Sequence, residues 1–391
     1  MTTVFIVSPT ESVITTRGKR HPNLASYLVS KDIDVFYITS TINHAEKRLF
    51  TPQEVSAALE KTEYKTEYIN AGIYYKNISI KRVFWNFIFS IKVFLVLIKY
   101  ARAGDVLVFP SRPPELMLVA RILKMLREVK LFLDVEDIWP DAFLVKNRLQ
   151  RAAFYSYCNL INKLSISSFD AGVHVSPNFK AWLERYSPSY ISEFAPLGIT
   201  QEDFKPEHKK YYKDKRFEGL KIFYGGTLSL QFDILPLIKA ISKSTTNFRI
   251  VLAGDSGDGD RFEEVMSCIK ENCIDYEFCG LLDKKAFISK IGQSDIVVVP
   301  MISGGLPKKF FDAMGSIKPV LCLGSGGVAQ EVVNYNLGWV AGFDENEILA
   351  LLDSINRTSL DEKIENVSKV VAHYLEENSL IKIYSGIEGL I

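Results

Sequence analysis

What most constrains this chain is a unit that recurs along it: a short run of consecutive apolar residues, a turn, then a helix-length stretch. Asp295-Ile-Val-Val-Val-Pro300 shows the run at its clearest. A strand that is apolar at every position, and not at alternate ones, is buried on both faces, as in a parallel sheet. Parallel neighbours need long crossovers, and helices supply them. The pattern predicts strands over residues 4–8, 35–39, 106–109, 131–134 and 172–175. It predicts them again over 220–224, 248–253, 274–278, 296–299, 320–323 and 339–341. Helices are expected between them, over 23–30, 83–101, 115–127, 148–167 and 178–185, then 233–243, 261–273, 284–291, 328–334 and 345–355. At 391 residues the chain is longer than one core organises, so two domains are expected.

The run ending at Pro300 leads into a turn at Gly304-Gly305, then Leu306, and Pro307 opens a helix where proline is tolerated. Lys308, Lys309 and Asp312 fall on the first turns of that helix. A helix N-terminus attracts phosphate through its free N–H groups, and lysines strengthen the attraction. A carboxylate one turn on can accept hydrogen bonds from a ribose diol. The arrangement suits a nucleoside diphosphate, although an ordinary strand–turn–helix unit gives the same pattern. A second glycine turn, Tyr224-Gly-Gly-Thr-Leu228, ends another strand. Gly226 lets a ligand approach the backbone there, and Thr227 offers a hydroxyl to a phosphate oxygen. Ala253-Gly-Asp-Ser-Gly-Asp-Gly-Asp260 is not GxGxxG, and its carboxylates would repel a pyrophosphate.

The first half carries two further sites. Thr16-Arg-Gly-Lys-Arg-His-Pro-Asn23 is a compact cationic loop, with Gly18 permitting an unusual turn among Arg17, Lys19, Arg20 and His21. The GxxxxGK[ST] phosphate loop is absent. In Leu131-Phe-Leu-Asp-Val-Glu-Asp-Ile-Trp-Pro-Asp141, Glu136 and Asp137 follow a buried strand, at the end where open α/β sheets bind ligands. A carboxylate capping the next helix explains Asp137 as well.

The Pro300–Met314 segment, with Lys318-Pro319-Val320 after it, resembles the donor-binding motif of family 4 glycosyltransferases. The likeness is nearest to a bacterial branch that builds O-antigen and capsular polysaccharides, where Pro-x-Lys-x-x-Asp replaces the usual glutamate pair. Pro307-Lys-Lys-Phe-Phe-Asp312 follows that spacing. Pro196, Gly198, Phe204 and Pro206 resemble the family's interdomain hinge, and Asp137-Ile-Trp-Pro140 resembles the branch's Asp-Leu-Trp-Pro.

The resemblance implies an α/β fold of the GT-B class: two Rossmann-like, doubly wound parallel-sheet domains facing a cleft. Domains are expected at 1–195 (acceptor-binding) and 216–360 (nucleotide-sugar-binding), with a hinge at 196–215. Helices over 361–391 would return to the first domain. The implied activity is a retaining, metal-independent hexosyl transfer from a nucleotide-sugar, UDP-linked, to a hydroxyl of a lipid-linked or polysaccharide acceptor.

Gly226, Thr227, Gly304, Gly305, Leu306, Lys308, Lys309 and Asp312 would bind the donor. Leu281 and Leu282, in Cys279-Gly-Leu-Leu282, match the loop that contacts the base. Asp137, with Glu136 beside it, would orient the acceptor hydroxyl or take its proton. The family counterpart of Glu136 is usually basic. Arg17, Gly18, Lys19 and Arg20 would bind an acceptor diphosphate or donor phosphates. No cofactor and no metal are expected.

Net charge is +1 overall. It divides unevenly, with an excess of cations in residues 1–200 and of acids after them. A basic first half suggests an anionic acceptor or membrane surface and not nucleic acid. Residues 83–100 are strongly apolar but are interrupted by Asn86, Lys92 and Lys99. They suit a helix lying in a membrane interface, and an ordinary core helix fits them too. Five scattered cysteines without CxxC pairs read as buried free thiols. With no recognisable signal peptide, they place the chain in the cytoplasm, peripheral on the inner face of the membrane. Two other classes share parts of the pattern: a non-catalytic, nucleotide-binding partner subunit and a sugar-nucleotide epimerase. The sequence leaves donor sugar, acceptor and oligomeric state open.

Overall fold

The structure, a computed structural model, describes residues 2–15, 19–75, 79–142, 147–209, 218–228, 232–255, 259–301 and 304–391. The chain divides into two compact units. The first comprises Met1–Val175, Phe179–Ala195 and Leu380–Ile391, and the second Ser176–Asn178 and Pro196–Ser379.

The first unit contains strands β1 (Thr3–Ser8), β2 (Asp34–Ser40), β3 (Ile42–Asn43), β4 (Arg48–Leu49), β5 (Lys65–Ile69), β6 (Val106–Pro110), β7 (Lys130–Val135), β8 (Ala171–His174) and β9 (Glu193–Phe194). Its helices are α1 (Arg20–Val29), α2 (Pro52–Leu59), α3 (Ile80–Tyr100), α4 (Pro114–Arg127), α5 (Arg148–Ser165) and α6 (Phe179–Tyr186). Seven strands form one sheet in the order β5-β2-β1-β6-β7-β8-β9, every pairing parallel.

Val4 sits opposite Val35 on one side and Val106 on the other. Val4, Ile6, Val35, Tyr37, Val106 and Val108 pack with Leu24 and Leu28 of α1 and with Ile383 and Ile387. The alternate positions Phe5, Val7, Leu107 and Phe109 are equally buried, so the sheet has no solvent face, as its unbroken apolar runs require. β5 and α2 lie outside the sequence expectation. Lys-Thr-Glu-Tyr-Ile is a half-exposed edge strand with too little apolar content to stand out. α2 does carry a start signal: Thr51 and Glu54 form a reciprocal capping box.

The second unit has strands β10 (Leu220–Gly225), β11 (Phe248–Ala253), β12 (Asp275–Phe278), β13 (Ile296–Met301), β14 (Val320–Gly324) and β15 (Gly338–Ala341). They are ordered β12-β11-β10-β13-β14-β15 and all parallel. Helices α7 (Leu235–Lys243), α8 (Gly259–Glu271), α9 (Lys284–Gly292), α10 (Lys308–Gly315), α11 (Gly327–Asn334), α12 (Glu345–Ser354) and α13 (Arg357–Val370) follow, then α14 (Glu376–Glu388).

The units divide between Ala195 and Pro196, and the chain re-enters the first at Leu380, later than the expected 361. The reason is α13, whose Leu360, Ile364 and Val367 are buried within the second unit.

In both sheets the strand order reverses once, between β1 and β6 and between β10 and β13. Adjacent crossovers there leave the sheet in opposite directions and open a crevice at the carboxyl ends of the strands, where ligands of open α/β sheets bind.

Candidate functional site

In the second unit the strand ends at the reversal are built from glycine. Gly226 N–H donates to Ala253 O at 2.8 Å and Gly254 N–H to Gly280 O at 2.8 Å, tying the ends of β10, β11 and β12 together. A Cβ on Gly254 (φ +144°) would lie 2.1 Å from Gly226 O, so only glycine allows this approach. Thr227 is exposed, and its carbonyl accepts from the Tyr224 hydroxyl at 2.7 Å. Leu281, 75% exposed, and half-buried Leu282 follow Gly280 on the same edge.

On the other side of the reversal, Gly304 O accepts from Gly327 N–H at 3.1 Å and from Asn178 Nδ2 at 3.0 Å. Gly305 is half-buried and Leu306 buried. No side chain caps the N-terminus of α10, which leaves its first N–H groups to a ligand or water.

The two lysines of α10 separate into different roles. Lys308 Nζ lies 3.2 Å from Asp203 Oδ2 and 3.7 Å from Asp312 Oδ1. Asp203 is buried, also pairs with Lys284 Nζ at 2.7 Å, and belongs to the segment between the expected domains. Lys308 is therefore partnered within the protein.

Lys309 runs back beneath the β10 turn. A Cβ on Gly226 would stand 3.1 Å from its Nζ, which lies 4.9 Å from the Tyr224 ring centroid and 4.3 Å from that of Phe232. No described carboxylate comes within ion-pair distance of it. Burial pushes its pKa down to about 8, with Asp312 opposing the shift. A half-buried ammonium beside a glycine turn and an uncapped helix end is suited to an anion. Asp312 is nearly buried, and burial raises its pKa to about 6 against the pull of Lys308.

The first unit presents a contrasting cluster at its own reversal. Arg20 donates to Asp134 through Nε (2.7 Å) and Nη2 (3.1 Å), and Nη2 also donates to Ala195 O at 3.0 Å. Both side chains are buried, so Arg20 is a structural ion pair and not the acceptor ligand expected from the sequence. Lys19 is exposed, and Arg17 and Gly18 lie outside the described residues.

His21 is fully buried. Its ring nitrogens lie 3.4 Å from Glu11, 3.4 Å from Asp134 and 3.6 Å from Glu136, with no acceptor at hydrogen-bonding geometry. Burial alone would lower its pKa, but the charge of Glu136 and the nearness of Asp134 and Glu11 raise it to about 10. Arg112 Nη2 approaches Glu136 at 3.6 Å. Burial raises the Glu136 pKa, with Glu11 and Asp134 adding to the shift and His21 and Arg112 opposing it. The ligand atoms of Glu11, His21 and Glu136 lie within 4.8 Å of one another, close enough for a metal. In the structure these side chains, with Asp134, form an ion cluster around His21.

Glu136, and not Asp137, faces the pocket in front of this cluster, with Glu11, Tyr74, Arg82, Arg112 and Trp139. The Asp137 carboxylate is taken by its own turn, accepting from Ile138 N–H and Trp139 Nε1 at 3.0 Å each. Glu136, the departure from the family's basic residue, is flanked by His21 and Arg112, which restore positive charge at that place. Sequence reading missed Glu11, Arg112 and Asp203. The first two stand just beyond β1 and β6, a juxtaposition that only the strand order reveals. The thiols also differ: Cys158 and Cys322 are buried, but Cys273 is exposed.

Comparison with known proteins agrees with this architecture. Residues 207–371 match the family described as Glycosyl transferases group 1. A probable glycosyltransferase of Pseudomonas aeruginosa, WbjE, is 23% identical over 322 residues, 78% of each chain. Sucrose-phosphate synthase from Thermosynechococcus elongatus superposes with a TM-score of 0.73 at 15% identity, covering 100% of this chain and 99% of its own. Anabaena HepE in complex with UDP gives 0.69 at 13%, covering 100% of both. Residues 207–371 thus form a glycosyl transferases group 1 domain, and the chain is a glycosyltransferase of the GT-B fold.

Proposed function

We propose that the chain transfers a hexose from a nucleoside diphosphate sugar, UDP-linked, to a hydroxyl of a lipid-linked or polysaccharide acceptor in bacterial surface-glycan synthesis. The transfer retains the anomeric configuration and uses no metal. Lys309 carries the reading: a half-buried ammonium without a described carboxylate partner, set against the β10 glycine turn at the sheet's reversal. The UDP complex of similarly folded HepE supports a nucleotide donor.

As the glycosidic bond breaks, negative charge grows on the diphosphate, and Lys309 with the α10 N–H groups would stabilise it. Gly226, Thr227, Gly304 and Gly305 let the phosphates lie against backbone, and Asp312 would accept from the ribose diol. The departing phosphate can take the acceptor proton on the same face, which gives retention without a strong protein base. Glu136, with its raised pKa, would position the acceptor. The free cysteines suit a reducing, cytoplasmic compartment.

The test is incubation with a panel of UDP-hexoses in EDTA, following UDP release and reading the anomeric proton of the product by NMR. Product of the donor's configuration supports the proposal. Strict dependence on added Mg²⁺ or Mn²⁺, or an inverted product, rejects its mechanism.

A further inference from the structure

We propose that α3 is a membrane-docking element whose outward face seats on a bilayer with anionic headgroups. A helix at the surface of a soluble domain carries one apolar stripe, and α3 carries two. The inner stripe, Trp85, Phe89, Val93 and Leu97, is 0–3% exposed and belongs to the core of the first unit. The outer stripe, Ile80, Val83, Phe84, Phe87, Ile88, Ile91 and Leu95, is 42–76% exposed. Its members recur at intervals of one to four residues on the opposite side of the helix. At 1.5 Å per residue the outer stripe runs ~22 Å. On neighbouring α4, whose Arg127 donates to Ile98 O, Met125 and Leu126 are also exposed.

Charge selects the occupant. α3 contains no acidic residue. Its Lys81, Lys92 and Lys99 are eleven and seven residues apart, which places them on one line along an edge of the outer stripe. Lys92 Nζ donates to Asn70 O at 2.6 Å, and lysines at the places of Lys81 and Lys99 keep their ammonium groups at headgroup level while their stems cover apolar surface. α5 likewise carries Arg148, Arg151 and Lys163 and no acid, and the one acid of α4, Glu115, is buried. A second copy of the chain would bring an equally acid-free α3 against these lysines, whereas anionic lipid complements them.

By length and composition α3 meets the requirement for crossing a membrane. Its inner stripe, however, is committed to protein, with Trp85 stacked on Phe89 at 5.2 Å and Trp85 Nε1 donating to Gly72 O at 3.1 Å. A helix held in this way lies on the bilayer and does not span it. Arg82 and Trp85, from the inner side of the same helix, line the pocket that holds Glu136, so docking brings that pocket close to the lipid surface. The inference stands independently of the donor site.

Co-sedimentation of the full chain with vesicles of phosphatidylcholine and phosphatidylglycerol tests it. The wild type should pellet with these vesicles, and far less with phosphatidylcholine alone or at high salt. Replacing Phe84, Ile91 and Leu95 together by serine should weaken partitioning about tenfold or more. Lys81→Gln with Lys99→Gln should weaken it roughly thirtyfold. All these side chains are at the surface, so thermal unfolding and UDP affinity should match wild type, which separates lost docking from lost folding or donor binding. Wild type remaining in the supernatant, or serine variants that pellet equally, overturns the proposal. So does sedimentation velocity showing a dimer that the serine variants dissociate, because the face would then belong to a second copy.

Discussion

The two units reverse strand order in the same way yet furnish the reversal with opposite chemistry. In the first unit the crevice is crowded with charge that is already answered, with Arg20 on Asp134, His21 among three carboxylates and Arg112 beside Glu136. In the second it is lined by backbone and glycine, and half-buried Lys309 has no described carboxylate partner. A site that must receive a doubly charged phosphate group keeps its cation unanswered until the ligand arrives. A site that receives neutral hydroxyls can hold its charges in mutual balance and offer them as hydrogen-bonding groups. Shared topology sets where a ligand sits, and the pairing state of the side chains sets which ligand it is.

The sharpest way to break this contrast is Asp134→Asn. It leaves Arg20 and His21 buried without their shared counter-charge and should cost ~3–5 kcal/mol of stability, read by urea unfolding. A loss below ~1 kcal/mol would show that the first cluster is not structurally balanced.

Lys309→Ala comes next, with UDP affinity falling roughly 10–100-fold for a lost charge-assisted contact. Lys308→Ala should change affinity less than about threefold, because its charge is spent on a partly exposed pair with Asp203 and Asp312. Equal losses in the two variants would erase the distinction drawn between the lysines.

The two clusters should also differ in pH dependence. His21 has a folded pKa raised from 6.5 to about 10. Its charge therefore contributes stability that is full below about pH 6.5 and is lost as pH rises through about 10. The slope over that window should vanish in His21→Gln. Lys309, lowered to about 8, loses charge above that pH, so UDP affinity should decline there in wild type and not in Lys309→Ala. The smallest effect is expected for Asp312→Asn, about fivefold in nucleoside affinity for one weakened ribose contact. A nucleotide lacking the ribose diol should show no difference between Asp312→Asn and wild type.

The sheets were legible because unbroken apolar runs such as 296–299 admit few readings other than a doubly buried strand. The edge strand β5 was not, since an edge need not be apolar. The glycine turns at Gly226 and Gly304 were visible as composition. Which lysine points where was not, because Lys308 and Lys309 are adjacent and differ only in facing Asp203 or the β10 turn. The neighbouring carboxylates were no easier to tell apart: the Asp-Ile-Trp-Pro sequence marks the turn, but only the structure shows the Asp137 carboxylate bonded within it and Glu136 facing the pocket. Glu11 lies far from Glu136 in the chain, and nothing local signals that His21 will bring them together.

The most direct measurement is calorimetric titration of UDP, in EDTA, into wild type, Lys309→Ala and Lys308→Ala. Metal-free binding that falls steeply in Lys309→Ala and persists in Lys308→Ala is the predicted result. Binding that requires a divalent cation, or that survives intact in Lys309→Ala, would contradict the assignment of Lys309 as the phosphate-binding cation.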